Sequence, residues 1–486
     1  MSARMTPRYQ DTAEPRGVMP GQRCLWIQQA LLAETEGDAP KLQDHLNTDI
    51  CIVGGGFTGL WTAIRLKQLE PSASVAILEA DICGGAASGR NGGFALSWWP
   101  KVETLIERVG VEEAFRLAKS SESAIGEISD FCEKEGIDAH LTQKGWLWTA
   151  TSEAQQSSWV GALRVCAAHD EHPFRELEPE EIAARTGSNV HRGGVIEGSG
   201  ATVHPGFLVR GLRRVAMSRG VQVFERSPMM DLDRSTGTVT TPLGSMHSGV
   251  VILALNVWSV RIRELRRAIV PLGSDIVATA PMAHALAESG WSGGEGISDS
   301  RMMIHYYRTT RDGRIAFGRG GGALGVAGWM GNTFDYSARL ERALASDLRR
   351  LVPAARGVSI THAWAGGVDR SPDGLPFFGR LRSKTLILYG AGFSGNGVVP
   401  TYLGAKILAS TALGQKDQWS ETRLNQGVPA RFPPEPARSA GAFLVRTAVE
   451  RKESREDDGR TVDALTRRIA KLAPSGYAKM TDEGKR

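Results

Sequence analysis

The alternation of apolar and polar positions divides the chain into a small set of regular units. Ile50-Cys51-Ile52-Val53 is an apolar run after Asp49, and Leu60, Ala63, Ile64, Leu66 and Leu69 then recur mostly at three- and four-residue steps. The run predicts a buried strand, Asp49 to Val53, and the spacing an amphipathic helix from about Gly59 to Leu69, closed off by Pro71. A second strand, Ser74 to Leu78, ends on Glu79. Between Val102 and Glu135 helical spacing persists through Leu105, Val109, Leu117, Ile125 and Ile128. Shorter patterns predict a helix from Cys24 to Ala33, a strand from Gly145 to Ala150, and a helix from Pro205 to Arg219. That helix leads into the strand Val221 to Glu225, and Gly249 to Leu255 is another. Arg301 to Tyr307 and Arg314 to Phe317 flank Arg311-Asp312-Gly313, a hairpin signal. The last unit is a strand, Thr385 to Tyr389, a glycine turn, Gly390 to Gly397, and a helix from about Val398 to Leu413.

Composition narrows the class. With 486 residues the chain holds two to three lobes at roughly 150 residues each. The formal charge of +5 is small and its Lys and Arg are dispersed, which argues against nucleic acid as partner. No apolar stretch is long enough to span a membrane, and the polar start, Met1 to Gln22, has no apolar signal core, so a cytoplasmic protein is expected. Cys24, Cys51, Cys83, Cys132 and Cys166 form no C-x-x-C pair, and the ten histidines form no ligand motif, so no metal site is expected. Beyond Arg431 "FPPEP" reads as a linker, and the charged tail from Glu450 to Arg468 as one solvated helix or partly disordered arm, to which no chemistry is assigned.

Three glycine-rich stretches carry the candidate chemistry. In "VGGGFTGL", Gly54 permits the turn out of the strand, Gly56 the approach of a pyrophosphate, and Gly59 close helix packing. Phe57 and Thr58 lie in the turn just ahead of the helix whose N-terminus faces the phosphates. Glu79, twenty residues after Gly59, is placed to accept hydrogen bonds from ribose hydroxyls. NAD and FAD fit equally up to this point. Ser88-Gly89-Arg90-Asn91-Gly92-Gly93 follows closely and suggests a cofactor extending past its adenosine half, with Arg90 beside phosphate and Asn91 as donor and acceptor. Gly392-Phe393-Ser394-Gly395-Asn396-Gly397-Val398 opens a second helix. Its positive end can stabilise the charge of a reduced flavin, which favours FAD.

With "DICIVGGGFTGLWTA", "SGRNGG", "ATVHPGFLVRGL", "VILALNVWS", "YYRTTRDGRIAFG", "WAGGVDRSPDGLPFFG" and "YGAGFSGNGVVPTYLGAKILA" in this order, the chain resembles the FAD-dependent amine and amino-acid oxidoreductases. These are the D-amino-acid oxidase, glycine oxidase and sarcosine oxidase type, with the γ-glutamylputrescine oxidoreductase branch nearest. The resemblance implies an α/β fold, a Rossmann-like FAD-binding domain assembled from residues 48–100, 196–270 and 355–430. An α+β substrate domain with an antiparallel sheet would comprise 101–195 and 271–354, flanked by an arm, 1–47, and the tail, 431–486. It further implies that Glu79 binds the adenosine ribose, that the backbone of Val223 meets the adenine, that Asn256 and Trp258 line the adenosine side, and that Gly392 to Val398 face the flavin.

Some relatives tether flavin through Cys or His. No cysteine lies near "WAGGVDRSPDG" and no histidine in "GGAASGRNGG", so noncovalent FAD is expected. The implied reaction is oxidation of an amine by hydride transfer to flavin N5, with the imine then hydrolysed and the electrons passed to O2 or another acceptor. Arg301, Arg308, Arg311, Arg314 and Arg319 point to a substrate with an anionic end, a carboxylate or phosphonate, so that an amino acid, an N-alkylated amine or an aminophosphonate is expected. Tyr307 and Arg308 are the expected site residues, and His305 is the best-placed histidine. No lysine lies between Lys144 and Lys384, where sarcosine-oxidase relatives use one to promote reaction with oxygen, so the acceptor stays open, with Lys101 as a substitute. The alternative is a flavoprotein subunit that relays electrons inside a larger complex without catalysis of its own.

Overall fold

In the computed structural model, which describes residues 23–291 and 293–474, the strands gather into two eight-stranded sheets and one small two-stranded ladder. The first sheet runs Phe377–Arg380, Leu386–Ala391, Ser245–Leu253, His45–Val53, Val75–Leu78, Gln222–Phe224, with Thr238–Thr240 and Asp231–Asp233 branching from Ser245–Leu253. Its central pairings are parallel. Parallel strands are covered on both faces, which is why these read as unbroken apolar runs: Cys51, Ile52, Ala76, Ile77, Val251 and Ile252 are fully buried. Val53 stands opposite both Leu78 and Leu253, and Leu253 opposite Tyr389. All four strands therefore end at one level, and the turns that follow them open along a single edge.

The second sheet runs Ile360–Arg370, Val270–Thr279, Ile315–Arg319, His305–Thr309, Gly296–Asp299, Trp146–Ala150, Gly193–Glu197, Phe174–Leu177. All its pairings are antiparallel except Gly296–Asp299 with Trp146–Ala150. The hairpin turns at Arg311-Asp312-Gly313, as its sequence predicts. Ile360–Arg370, grouped with the cofactor segments by a boundary drawn at 355, pairs along its length with Val270–Thr279 and belongs to the second sheet. The continuous helical pattern from Val102 to Glu135 is two helices, Val102–Val109 and Val111–Lys134, parted at Gly110, whose φ of +88° no helix accepts. No helix among the described residues is long and apolar enough to cross a membrane.

Both ends of the described chain are built in. The helix Leu25–Ala33 buries Trp26 completely, and Glu34 beyond it joins a buried charge network. Glu34 pairs with Arg210 at 2.6 Å and Arg213 at 2.9 Å, and both arginines pair with Glu225 at 2.8 and 3.1 Å. The charged tail is helical, as one of its two readings has it, but in two pieces rather than one and tied down on one side. It forms two helices, Ala437–Asp457 and Ala464–Ala470, that pack on the protein with Ala448, Val449 and Ala470 buried beside Met303. The Glu453 carboxylate accepts hydrogen bonds from the backbone N–H groups of Met302 and Met303, at 2.7 and 3.1 Å, fixing the longer helix to the second sheet's approach loop.

Candidate cofactor and substrate site

A cavity of about 1050 Å³ runs from the open edge of the first sheet to the face of the second. Gly54, Gly56, Phe57, Thr58 and Glu79 border its first part. Gly54 leaves its strand at φ +116°, and a Cβ there would lie 2.3 Å from the Ala254 carbonyl oxygen. Gly59 does not border the cavity; a Cβ on it would come within 1.9 Å of the Gly54 oxygen, so it seats the helix Phe57–Leu69 against the turn. Gly56 caps that helix without a side-chain bond. An uncapped helix start suits an anion. The Phe57 N–H donates to Ser88 Oγ at 2.8 Å, which joins the turn to the second glycine loop.

The Glu79 carboxylate accepts from the N–H groups of Gly55 at 2.7 Å and Asp81 at 2.9 Å. Burial pushes its carboxyl up to about 7, against the opposing effect of those hydrogen bonds. Ser88, Arg90, Asn91 and Gly92 border the cavity next, whereas Gly89 and Gly93 back the loop. Asn91 spends its amide locally: Oδ1 accepts from the Gly93 N–H and Nδ2 donates to the carbonyls of Ala87 and Ser88. Arg90 is a bracket, donating to the Gly85 and Ala365 carbonyls and pairing with Asp335 at 2.7 Å. Both residues thus shape the loop that borders the cavity.

At the third glycine stretch Phe393, Ser394, Gly395, Asn396, Gly397 and Val398 border the cavity, and Gly392 lies behind them. The helix Val398–Ala412 also starts without a side-chain cap. What holds this turn is Asp369, a residue not singled out from sequence. Fully buried, it accepts from the N–H groups of Gly392 at 2.6 Å and Ser394 at 3.4 Å, and from Asn256 Nδ2 at 3.5 Å. Burial raises its carboxyl to about 7, the hydrogen bonds acting the other way. Its one available signal was a charge embedded in the glycine- and aromatic-rich "WAGGVDRSPDG".

Several expected site residues lie elsewhere. Successive side chains of a strand point to opposite faces, and in His305–Thr309 it is Tyr306 that borders the cavity, its hydroxyl 2.8 Å from Ser274 Oγ. Tyr307 is buried on the other face with its hydroxyl 2.6 Å from His191 Nε2, and His305 sits between Asp299 at 2.8 Å and Asp347 at 3.3 Å. Neither borders the cavity. Arg308 stops short of it too, donating to the Gly92 and Val203 carbonyls at 2.8 and 2.6 Å with its guanidinium 5.1 Å from the Trp26 ring centre. Burial lowers its pKa to about 10. Val223 is locked in the ladder opposite Ile77; Pro228 and Met229, after that strand, border the cavity instead. Asn256 and Trp258 both border it, Trp258 partly exposed at the rim. Lys101 is buried away from it, donating to the Gly374 carbonyl at 2.5 Å, with burial and then Arg370 lowering its pKa to about 7.

The sequence pattern of the FAD dependent oxidoreductase family, DAO, matches residues 49–411. The chain belongs to this family. It is 28% identical over 396 residues to a probable oxidoreductase, OrdL, of Haemophilus influenzae, covering 78% of this chain and 86% of that one. It is 28% identical over 386 residues to the γ-glutamylputrescine oxidoreductase of Escherichia coli K12, with the same coverage. Among solved structures, glycine oxidase from Geobacillus kaustophilus superposes with a TM-score of 0.64 at 19% identity, over 80% of this chain and 100% of that one. L-Proline dehydrogenase from P. horikoshii gives 0.62 at 18%, over 77% and 95%. The cavity fits the family's cofactor, because two uncapped helix starts and a buried carboxylate, on three separate segments, border one continuous space.

Proposed function

We propose that this FAD-dependent oxidoreductase oxidises the C–N bond of a primary or secondary amine, an amino acid or N-alkylated amine with an anionic group. The observation that carries the reading is the single cavity joining the nucleotide turns of the first sheet to the polar pair Tyr306 and Ser274 on the second. The names of relatives at 25–28% identity, γ-glutamylputrescine oxidoreductase, glycine oxidase and sarcosine oxidase subunit beta, support the substrate class.

When bound, FAD supplies the two-electron acceptor for a hydride leaving the substrate's α-carbon, after which the imine hydrolyses in water. The chain's own part is binding and orientation. The start of Phe57–Leu69 would hold the diphosphate, Glu79 the ribose hydroxyls, and the turn before Val398–Ala412 the ring end. The Tyr306 hydroxyl, steadied by Ser274, would orient the amine. No cysteine or histidine borders the cavity among the described residues, which supports noncovalent binding. The electrons pass to O2 or another acceptor, and Lys101 does not border the cavity.

The test is anaerobic mixing of the purified yellow protein with glycine, sarcosine, proline and γ-glutamylputrescine. Bleaching of the flavin band by at least one of them is expected without a partner protein. A flavin that no amine reduces would refute amine oxidation and favour an electron-relaying subunit. Acid precipitation should leave the colour in solution, and colour retained in the pellet would refute noncovalent binding.

A further inference from the structure

The helix Ala437–Asp457 lies beyond the family match, which ends at residue 411. Gly441, Ala442, Val445, Arg446 and Val449 on it border the cavity at the spacing of one helical face. Two independent ties hold that face down: Glu453 on the Met302 and Met303 N–H groups, and Asp457 on Arg301. Arg301 is itself clamped by Asp299 at 3.0 Å. The helix is thus a fixed roof, with Met302 and Met303 beneath it also bordering the cavity.

Five arginines and no lysine border this space. Three are committed to backbone carbonyls: Arg90 as above, Arg370 to those of Ser394 and Pro474, and Arg438 to those of Arg266 and Ile269. Arg261 ends the short helix Asn256–Arg261 that carries Trp258, on the nucleotide side. The Arg261 side chain has no hydrogen bond among the described residues, so Arg446 is set apart from it by its place and from the other three by its free outer edge. The Arg446 Nε donates to Glu450 at 3.1 Å, one turn along the same helix, and its two Nη groups have no hydrogen bond among the described residues. It lies by the second sheet, where its charge acts on Asp275 of the strand Val270–Thr279. A guanidinium with its outer edge free offers paired, coplanar N–H donors, the match for a carboxylate.

We propose that Arg446, presented by this roof helix, is the specificity-determining residue that binds a carboxylate on the substrate. Calling that ligand a substrate rests on the amine-oxidation reading; the anion site itself does not. Glu450 aims the fork and partly offsets its charge, so it sets the affinity from behind.

The test is calorimetric titration of the FAD-bound full-length protein with propionate and benzoate, and with propionamide and benzamide as neutral counterparts. The wild type should bind the carboxylates saturably and the amides at least about tenfold more weakly. Arg446→Met should weaken carboxylate binding at least about tenfold and leave the amides unchanged, with Arg446→Lys in between. Glu450→Gln should tighten carboxylate binding a few-fold, and it carries the test if the Met variant does not fold. Carboxylate affinity within twofold of wild type in Arg446→Met, no response to Glu450→Gln, or a wild type that does not prefer carboxylates would each overturn the proposal. Because binding is read without turnover, a protein that binds carboxylates through Arg446 yet oxidises no amine refutes the proposed reaction alone.

Discussion

Asp369→Asn isolates the titration of one buried carboxyl. The neutral acid has one acceptor oxygen and one hydroxyl, and asparagine copies that shape with a carbonyl oxygen and an amide. Its oxygen can still accept the Gly392 N–H, so wild type and variant should match closely at low pH. The carboxyl's rise from 3.8 to about 7 corresponds to about 4 kcal/mol, as an upper bound for a fully buried group. Since the folded pKa lies above the unfolded one, this stability is complete below pH 3.8 and is lost as pH rises through 7. Asparagine does not titrate and keeps its stability throughout. Thermal melts of cofactor-stripped wild type and variant between pH 5 and 9 should therefore diverge, the variant gaining on wild type as pH rises. Glu79, Glu197 and Asp275, also raised to about 7, are common to both proteins and cancel in the difference. Parallel melting curves across that range would refute the claim that Asp369 folds as a neutral acid.

Other expectations separate the cavity from its supports. Tyr306→Phe should raise KM for the reducing amine several-fold with little change in melting temperature. Tyr307→Phe should leave KM alone and cost about 1–3 kcal/mol in denaturant unfolding, because His191 loses a buried partner. Arg308→Met should lower stability by 2 kcal/mol or more, roughly, by stranding the Gly92 and Val203 carbonyls, with equal effects on anionic and neutral amines; a selective rise in KM for anionic amines would restore it to the site. His305 has a raised pKa: burial opposes its charge, and Asp299 and then Asp347 overcome that. Its contribution is present below pH 6.5 and lost as pH climbs through the folded value, so His305→Asn should flatten the alkaline side of the stability profile.

Much of the scaffold was legible because its signals are local. The units ending at Leu69 and Ala412 pair an apolar run with a glycine turn and a periodic helix, and each lies where its pattern puts it. The face of a strand is harder, because a one-residue change of register exchanges its two sides. That is how Tyr307 stood in for Tyr306. Arg308 was recognisable as unusual, but its partners, the Gly92 and Val203 carbonyls, are brought to it only by the tertiary fold. Asp369 acts across chain distance on Gly392 and Asn256, with no motif spacing to reveal it. The roof helix was hidden by composition, since its cavity face, Gly441, Ala442, Val445 and Val449, is made of small apolar residues, its larger ones, Phe443 and Leu444, are exposed, and charges crowd its second half.

The order of strands in the first sheet has a consequence for biosynthesis. His45–Val53 is paired with Val75–Leu78 on one side and with Ser245–Leu253 on the other, and Ser245–Leu253 in turn waits for Leu386–Ala391. Such pairings, far apart along the chain, form slowly. The third glycine turn is made only after the first three of these strands, and the roof helix later still. The borders of the cavity are therefore completed in chain order, the turn after His45–Val53 first and the roof of Ala437–Asp457 last.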